Sequence, residues 1–311
     1  MRLYTHTSCV AHSAGEGHPE SPARLRAVLE AIEAAAFAGI DEVEAPAASR
    51  LQLLRAHTAA LVSSVLDVAT TDLRRIDADT AMNAHSAKAA LHSAGAVCAA
   101  IDDVLRAPRN GSQRRAFCAV RPPGHHATRA QAMGFCLFNS VAVGAAHALA
   151  RHGLDRVAIV DFDVHHGNGT QDIFWNDPRV MYVSSHQQAI YPGTGDSHER
   201  GVTDNIINAP LCAGSDGAAM KQVYREQLLP ALNSFRPQLL LISAGFDAHR
   251  LDPLAGLNFS TQDFAWLTRE LVHVAEHHAN GRVVSTLEGG YSLTALRECS
   301  VAHVAAMLEV A

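Results

Sequence analysis

The residues best equipped for chemistry gather in Val157-Ala158-Ile159-Val160-Asp161-Phe162-Asp163-Val164-His165-His166-Gly167-Asn168-Gly169, an apolar run of strand length that ends in two aspartates, two histidines and two glycines. Alternate residues of a strand share a face, so Asp161, Asp163 and His165 would project the same way. Asp-x-His at that spacing suits a borderline divalent ion such as zinc. A catalytic zinc takes three protein ligands and leaves a position open for water. Asp163 and His165 supply two, and Asp247, alone at the end of another apolar run, is the natural third. Two carboxylates and one imidazole make an oxygen-rich donor set, so the ion need not be zinc in every preparation. Asp161 stands beside this trio, suited either to orient a neighbouring histidine or to help hold a monovalent cation.

Three further polar clusters follow apolar runs: Arg121-Pro122-Pro123-Gly124-His125-His126, Ser243-Ala244-Gly245-Phe246-Asp247-Ala248-His249 and Glu288-Gly289-Gly290-Tyr291. An imidazole accepts and returns a proton near neutral pH, which makes His125 and His126 acid–base candidates. Tyr291, on a glycine turn that brings the backbone close, could donate its hydroxyl to a substrate carbonyl opposite the metal. Together these parts describe metal-assisted hydrolysis of an amide. Each has a plainer reading when taken alone, a solvated histidine pair or a turn with a half-buried ring. Their joint occurrence after four apolar runs is what argues for a site.

The elements that must position these clusters are strands and helices in alternation. Leu3-Tyr4-Thr5, residues 41–45, Arg115–Val120, Arg156–Asp161, Val180–Ser184, Leu239–Ala244 and Arg282–Leu287 read as strands. Helices are expected from Pro22 (capped by Ser21) to about Ala35, as two short pieces within 49–69, and from about Ala84 to Arg106. Further helices are expected over Asn139–His152, Thr170–Trp175, Ser215–Phe235, Thr261–His278 and Leu293–Leu308. The alanine-dense helix 84–106 should pack closely, and 186–204, rich in Gly, His, Asp and Pro, should be a long functional loop. Runs such as Leu239-Leu240-Leu241-Ile242 are continuous, which marks strands buried on both faces of a parallel sheet. Strand ends of such a sheet lie along one edge, so distant clusters can converge there. Pro108-Arg109-Asn110-Gly111-Ser112 is the most linker-like stretch but reads as a surface loop. No repeat or boundary divides the chain, and residues 1–311 are expected to form a single α/β domain.

With 48% hydrophobic and 18% charged residues, the chain can bury a sizeable core. A net charge of -6 gives no electrostatic reason for a nucleic-acid or membrane-surface partner. The six cysteines form no C-x-x-C pair, which argues against a disulfide framework or zinc knuckle and suits a reducing cytoplasm. The N-terminus lacks the apolar core of a signal peptide, and no apolar run reaches membrane-spanning length. Of 19 histidines, His57, His92, His147, His277 and His303 read as surface or helix-packing residues.

At this point the sequence resembles the histone deacetylase superfamily, in its class II and bacterial amidohydrolase branch. The likeness runs through Gly17–Leu25, Asp77-Ala78-Asp79-Thr80, Arg121–His126, Gly134-Phe135-Cys136-Leu137-Phe138-Asn139, Asp161–Gly169, Tyr191–Gly195, Ser243–Asp247 and Glu288–Tyr291. The resemblance implies an arginase-like α/β fold with a central eight-stranded parallel sheet and helices on both faces. It puts the zinc triad on Asp163, His165 and Asp247, the general base and later acid on His126, its electrostatic partner on His125, and the carbonyl-polarising tyrosine on Tyr291. His125 would be backed by Asp161 and His126 by Asn168, where class I relatives carry Asp. An amide holds imidazolium less strongly than a carboxylate, so His126 should have a lowered proton affinity. The resemblance further implies one or two structural potassium ions. The first would use the side chains of Asp161 and Ser184 and carbonyls of Asp163, His165 and Ser185; the second would use carbonyls of Phe174, Asp177 and Val180. Phe135, beside Gly134, and Tyr191 would wall the substrate tunnel. Leu254 stands where polyamine-selective relatives place a glutamate.

The reading reached is a zinc-dependent deacylase that removes acetyl or similar short acyl groups from the Nε of lysine side chains, in a peptide or protein. The alternative in the same fold is an acetylpolyamine or other small N-acyl amine amidohydrolase. A dimanganese ureohydrolase would need ligands that the His-His pair and Tyr291 displace, and a non-catalytic binding module would have no use for the intact site. The resemblance allows a homodimer or homotetramer.

Overall fold

The computed structural model describes residues 1–108 and 111–309, so Arg109 and Asn110 of the expected surface loop lie outside the described residues. The chain begins β1 (Arg2–Thr5), α1 (Thr7–Ala11), α2 (Pro22–Ala34), β2 (Asp41–Glu44), α3 (Arg50–Leu53) and α4 (Ala59–Leu66). A two-stranded antiparallel ribbon, β3 (Arg74–Arg75) with β4 (Ala81–Met82), leads into α5 (Ser86–Arg106) and β5 (Arg115–Cys118). Then come α6 (Ser140–His152), β6 (Val157–Asp161), α7 (Asn168–Phe174), β7 (Val180–Gln187), β8 (Ile206–Leu211), α8 (Gly217–Val223) and α9 (Leu229–Phe235). The chain closes with β9 (Leu239–Ala244), α10 (Thr261–His278), β10 (Val283–Leu287) and α11 (Leu293–Leu308).

Eight strands form one sheet in the order β2-β1-β5-β10-β9-β6-β7-β8, with every pairing parallel. Strands β5, β6, β9 and β10 are buried throughout, as their continuous apolar runs require when helices cover both faces. The expected strands are all present, and β8 is an additional one. Its sequence, Ile-Ile-Asn-Ala-Pro-Leu, carries Asn208 and Pro210, residues that ordinarily mark turns. It is a strand because it lies at the sheet edge, where proline's missing N–H costs no ladder bond. The helix expected over Ser215–Phe235 is instead α8 and α9 joined by a π-turn, Tyr224–Leu228, with Pro230 in the first turn of α9. The ribbon and α1 are too short to leave a periodic trace in the sequence.

The alanine density of α5 has the expected use. A β-carbon at Gly95 would lie 1.9 Å from the Pro46 carbonyl oxygen and 2.6 Å from the Ala48 nitrogen, and one at Gly144 of α6 would lie 2.4 Å from Val97. Helix α5 is therefore pressed against both the 46–48 segment and α6. Gly95→Ala should improve helix propensity yet destabilise the protein by about 1–3 kcal/mol, because overpacking against backbone outweighs the propensity gain. Urea unfolding checks the sign: a midpoint at or above that of the native chain would refute the crowding.

Candidate active site

The four polar clusters follow β5, β10, β9 and β6, which are consecutive neighbours in the sheet. Parallel pairing brings their carboxyl ends to one edge: Thr286 is in register with Cys118, Leu287 with Ala244, and Asp161 with Ser243. Residues more than a hundred positions apart therefore meet in one buried site.

Asp163, His165 and Asp247 come together with one ligand atom each, all within 4.8 Å of one another. His165 Nδ1 lies 3.1 Å from Asp163 Oδ1 and 3.2 Å from Asp247 Oδ2. The backbone N–H of Gly289 donates to Asp163 Oδ2 (2.8 Å) and that of Val164 to Asp247 Oδ1 (2.9 Å). Asp247 Oδ2 is buried and, among the described residues, accepts no hydrogen bond. Burial and the neighbouring charge of Asp163 push the Asp247 carboxyl up to about 7. A β-carbon at Gly289 would sit 2.2 Å from Asp247 Oδ2, and one at Gly245 would sit 2.0 Å from Asp163 Oδ2. Glycine at both positions lets the backbone close on the carboxylates. An orphaned buried oxygen, two carboxylates and an imidazole are a donor set that a divalent cation fits.

The histidine pair is held by two different partners. His125 Nδ1 is 2.9 Å from Asp161 Oδ2, an oxygen that also accepts from the Tyr182 hydroxyl at 3.0 Å. Against the penalty of burial, the charges of Asp161 and Asp163 lift His125 well above the ordinary histidine range. His126 Nδ1 is 2.8 Å from Asn168 Oδ1, and the Asn168 amide N–H points to the Met133 sulfur. That orientation leaves the amide oxygen to accept, so Nδ1 carries the proton and Nε2 is the free base. Burial, then the positive charges of His125 and His165, hold His126 well below the ordinary range. The lowering comes from burial and the neighbouring charges, whereas the Asn168 hydrogen bond works in the opposite direction. Asp161 backs His125, as one of its two expected roles required.

Tyr291 sits on a loop pinned from two sides. Arg24 donates through Nε to the Gly290 carbonyl (2.6 Å) and through Nη2 to the Glu288 carbonyl (2.5 Å), with its Cζ 4.8 Å from the centre of the Tyr291 ring. Asp252 Oδ2 accepts from the Tyr291 N–H (2.7 Å) and the Ser292 N–H (3.3 Å), while Oδ1 accepts from the Leu254 N–H (3.0 Å). Phe135 lies edge-on to Tyr291, ring centres 6.0 Å apart, and Tyr191 lies edge-on to His126 at 5.0 Å. Phe135 has a positive φ of 68° and is fastened by its N–H to the Thr80 hydroxyl at 3.1 Å. Gly134 is glycine for space as well: a β-carbon there would lie 2.5 Å from the His126 ring. Tyr191 and Leu254 are both exposed, as residues at an entrance would be.

The other expected ion-binding residues also have defined surroundings. The Ser184 hydroxyl lies 2.9 Å from His186 Nδ1, Ser185 Oγ lies 3.1 Å from the Tyr224 hydroxyl, and the carbonyls of Phe174, Asp177 and Val180 converge on the side chain of Asn205. A second trio, Asp102, His147 and His152, has comparable spacing between α5 and α6. There Arg55 Nη1 faces His147 Nδ1 at 2.9 Å, so the other ring nitrogen donates to Asp102 Oδ1 (2.8 Å), as does His152 Nε2 (2.6 Å). The trio is a hydrogen-bonded clasp, and the guanidinium opposes a cation.

Sequence reasoning missed four supporting residues. Glu20, fully buried, takes Arg24 Nη1 at 2.8 Å and pairs with the buried Arg121 that opens the histidine loop. Glu288 accepts from the Gly124 and His125 N–H groups at 2.6 and 3.2 Å, and burial pushes it up to about 7 against the pull of His125. Arg24 and Asp252 complete the set. An i,i+4 Glu/Arg pair ordinarily signals a solvated helix face, so only a third charge without a local partner, Arg121, hinted at burial.

Known proteins resemble the chain in sequence and in fold. The histone deacetylase domain family matches residues 18–307. The histone deacetylase-like amidohydrolase of Pseudomonas aeruginosa is 38% identical, covering 94% of this chain and 77% of its own length. A probable deacetylase of Archaeoglobus fulgidus is 37% identical over 97% of this chain and 84% of its own. Chloroplastic histone deacetylase 14 of Arabidopsis thaliana is 38% identical over 94% of this chain and 73% of its own. The crystal structure of the HDA15 HD domain superposes with a TM-score of 0.91 at 34% identity, covering 99% of this chain and 88% of that one. With the strand order, the convergent site and the match over nearly its whole length, the chain belongs to the histone deacetylase family.

Proposed function

We propose that this protein is a zinc-dependent deacylase that cleaves acetyl or similar short acyl groups from lysine Nε. The observation that carries the reading is the free Nε2 of His126, set by Asn168, on a ring 5.9 Å from that of the ligand candidate His165. Held by Asp163, His165 and Asp247, a zinc ion would supply Lewis acidity toward an acyl carbonyl and acidify a water. His126 Nε2 takes the proton of the attacking water and returns it to the leaving amine. His125, kept cationic by Asp161, adds positive charge where the tetrahedral oxyanion grows. The Tyr291 hydroxyl donates to that same oxygen. Phe135 and Tyr191 present aromatic surface to the aliphatic stem of the substrate, and Leu254 offers no partner for a second ammonium. A reducing cytoplasm is the compartment that suits six unpaired cysteines, five of them buried.

A second reading, hydrolysis of an acetylated polyamine, draws on Asp77 and Asp79, whose charges are felt at the Tyr191 hydroxyl. A cationic chain leaving the tunnel there would meet them. Comparing kcat/KM on an acetyl-lysine peptide with that on acetylputrescine and acetylspermidine separates the two. The peptide should be preferred, and a strong preference for either polyamine would reverse the assignment.

Tyr291→Phe should lower kcat on the preferred substrate about 100- to 1000-fold, the cost of one oxyanion donor, with a much smaller change in KM. Dialysis against a chelator should abolish turnover, and zinc should restore it at one equivalent per chain by metal analysis. The acid limb of the kcat/KM profile should lie below the ordinary histidine range, because His126 stays unprotonated as pH falls until its lowered pKa is reached. Asn168→Asp adds a negative charge next to that ring and should move the limb upward by about 1–3 pH units. A limb that does not move would remove His126 from the role of base.

A further inference from the structure

Asn205, immediately before β8, turns its side chain into the protein and is 3% exposed. Its amide nitrogen lies 3.0 Å from the Phe174 carbonyl oxygen, 3.3 Å from that of Asp177 and 3.0 Å from that of Val180. Carbonyl oxygens only accept, so the atom facing them is the amino nitrogen, and the amide orientation follows from chemistry. The cage itself is fixed by the turn joining α7 to β7, where the Asp177 N–H donates to the Phe174 carbonyl and the Val180 N–H to the Asp177 carbonyl, both at 3.1 Å. The opposite end of the amide is accommodated by Gly201, with φ of +69°, where a β-carbon would lie 2.5 Å from Asn205 Oδ1.

Three carbonyl oxygens converging without an opposing donor form a site for a monovalent cation, and these are the carbonyls to which the resemblance assigns a second potassium. Here the amino group occupies the contact volume, so an ion touching the same oxygens would overlap it. The residues around Asp161 behave differently. Among the described residues, the carbonyl oxygens of Asp163 and His165 accept no hydrogen bond and are free to face an ion. We infer that this chain fills the second cation position of its family with the Asn205 amide and holds a single potassium, beside Asp161 and Ser184. The α7–β7 turn is then tied to β8 by a side chain whether or not potassium is present. The inference is independent of the deacylase reading, since it concerns a turn that touches no substrate.

Thallium(I), an anomalously scattering stand-in for potassium, tests it in crystals of the full chain. Native crystals grown in thallous acetate should show no anomalous peak in contact with the Phe174, Asp177 and Val180 carbonyls, and Asn205→Ala crystals should show one. In solution, Asn205→Ala should have a lower Tm than the native chain in choline chloride, and that difference should shrink as KCl replaces choline at constant ionic strength. A thallium peak at the three carbonyls in native crystals overturns the inference, and that observation needs no variant to fold. An Asn205→Ala protein that folds but leaves the carbonyls without thallium, with a Tm deficit against the native chain that is the same in KCl as in choline chloride, overturns it equally.

Discussion

Buried negative charge at the carboxyl edge of four adjacent strands governs how the segments around it are built. Asp161, Asp163, Asp247 and Glu288 are each about 1% exposed or less and share one small region. Uncompensated, such a group of carboxylates would cost several kcal/mol per ion. The compensation is divided among a cationic His125, the N–H groups of Val164, Gly124 and Gly289, and the Tyr182 hydroxyl. One oxygen, on Asp247, is left over. The negative charge that burdens the folded chain is thus what prepares it for a dication.

A second buried charge centre lies behind the first. Glu20 gathers Arg24, Arg121 and His12, all fully or nearly fully buried, and burial alone would raise its carboxyl, but Arg121 and His12 hold it well below the usual range. Through Arg24 this centre reaches the glycine loop of Tyr291, and through Arg121 it reaches the histidine loop. The histidine loop and the Tyr291 loop are therefore set by one shared anchor, which holds their glycine turns in place.

Much of the arrangement was legible in the sequence, for identifiable reasons. The continuous apolar runs of β6 and β9 required a doubly covered parallel sheet, and a carboxylate straight after each run required a shared edge. Asp163, His165, Asp247, the histidine pair and Tyr291 all follow from that logic. Pairings decided by distance in space did not. Asp252, for example, reads as a turn residue before Pro253, yet one of its oxygens holds the Tyr291 loop and the other the Leu254 N–H. Strand β8 was hidden because edge position, which no local pattern encodes, excuses its proline. Asn205 was hidden for the opposite reason: an asparagine in a polar loop draws no notice until three carbonyls are seen around it.

The strand order has a consequence for how the molecule comes into being. Strands β5 and β6 are not neighbours; β9 and β10, made last, insert between them. Until β10 has been made, the sheet is in two parts, β2-β1-β5 and β9-β6-β7-β8, whose inner edges are apolar and unpaired, although Asp247, the third member of the trio, is already in the chain. Such edges invite pairing with other chains. The trio can therefore assemble on β6 and β9 before the sheet closes, and what arrives with β10 is the Gly289 N–H that Asp163 accepts. The exposed edges persist until the last strand inserts, so a nascent chain of this protein is vulnerable to aggregation for as long as that insertion takes.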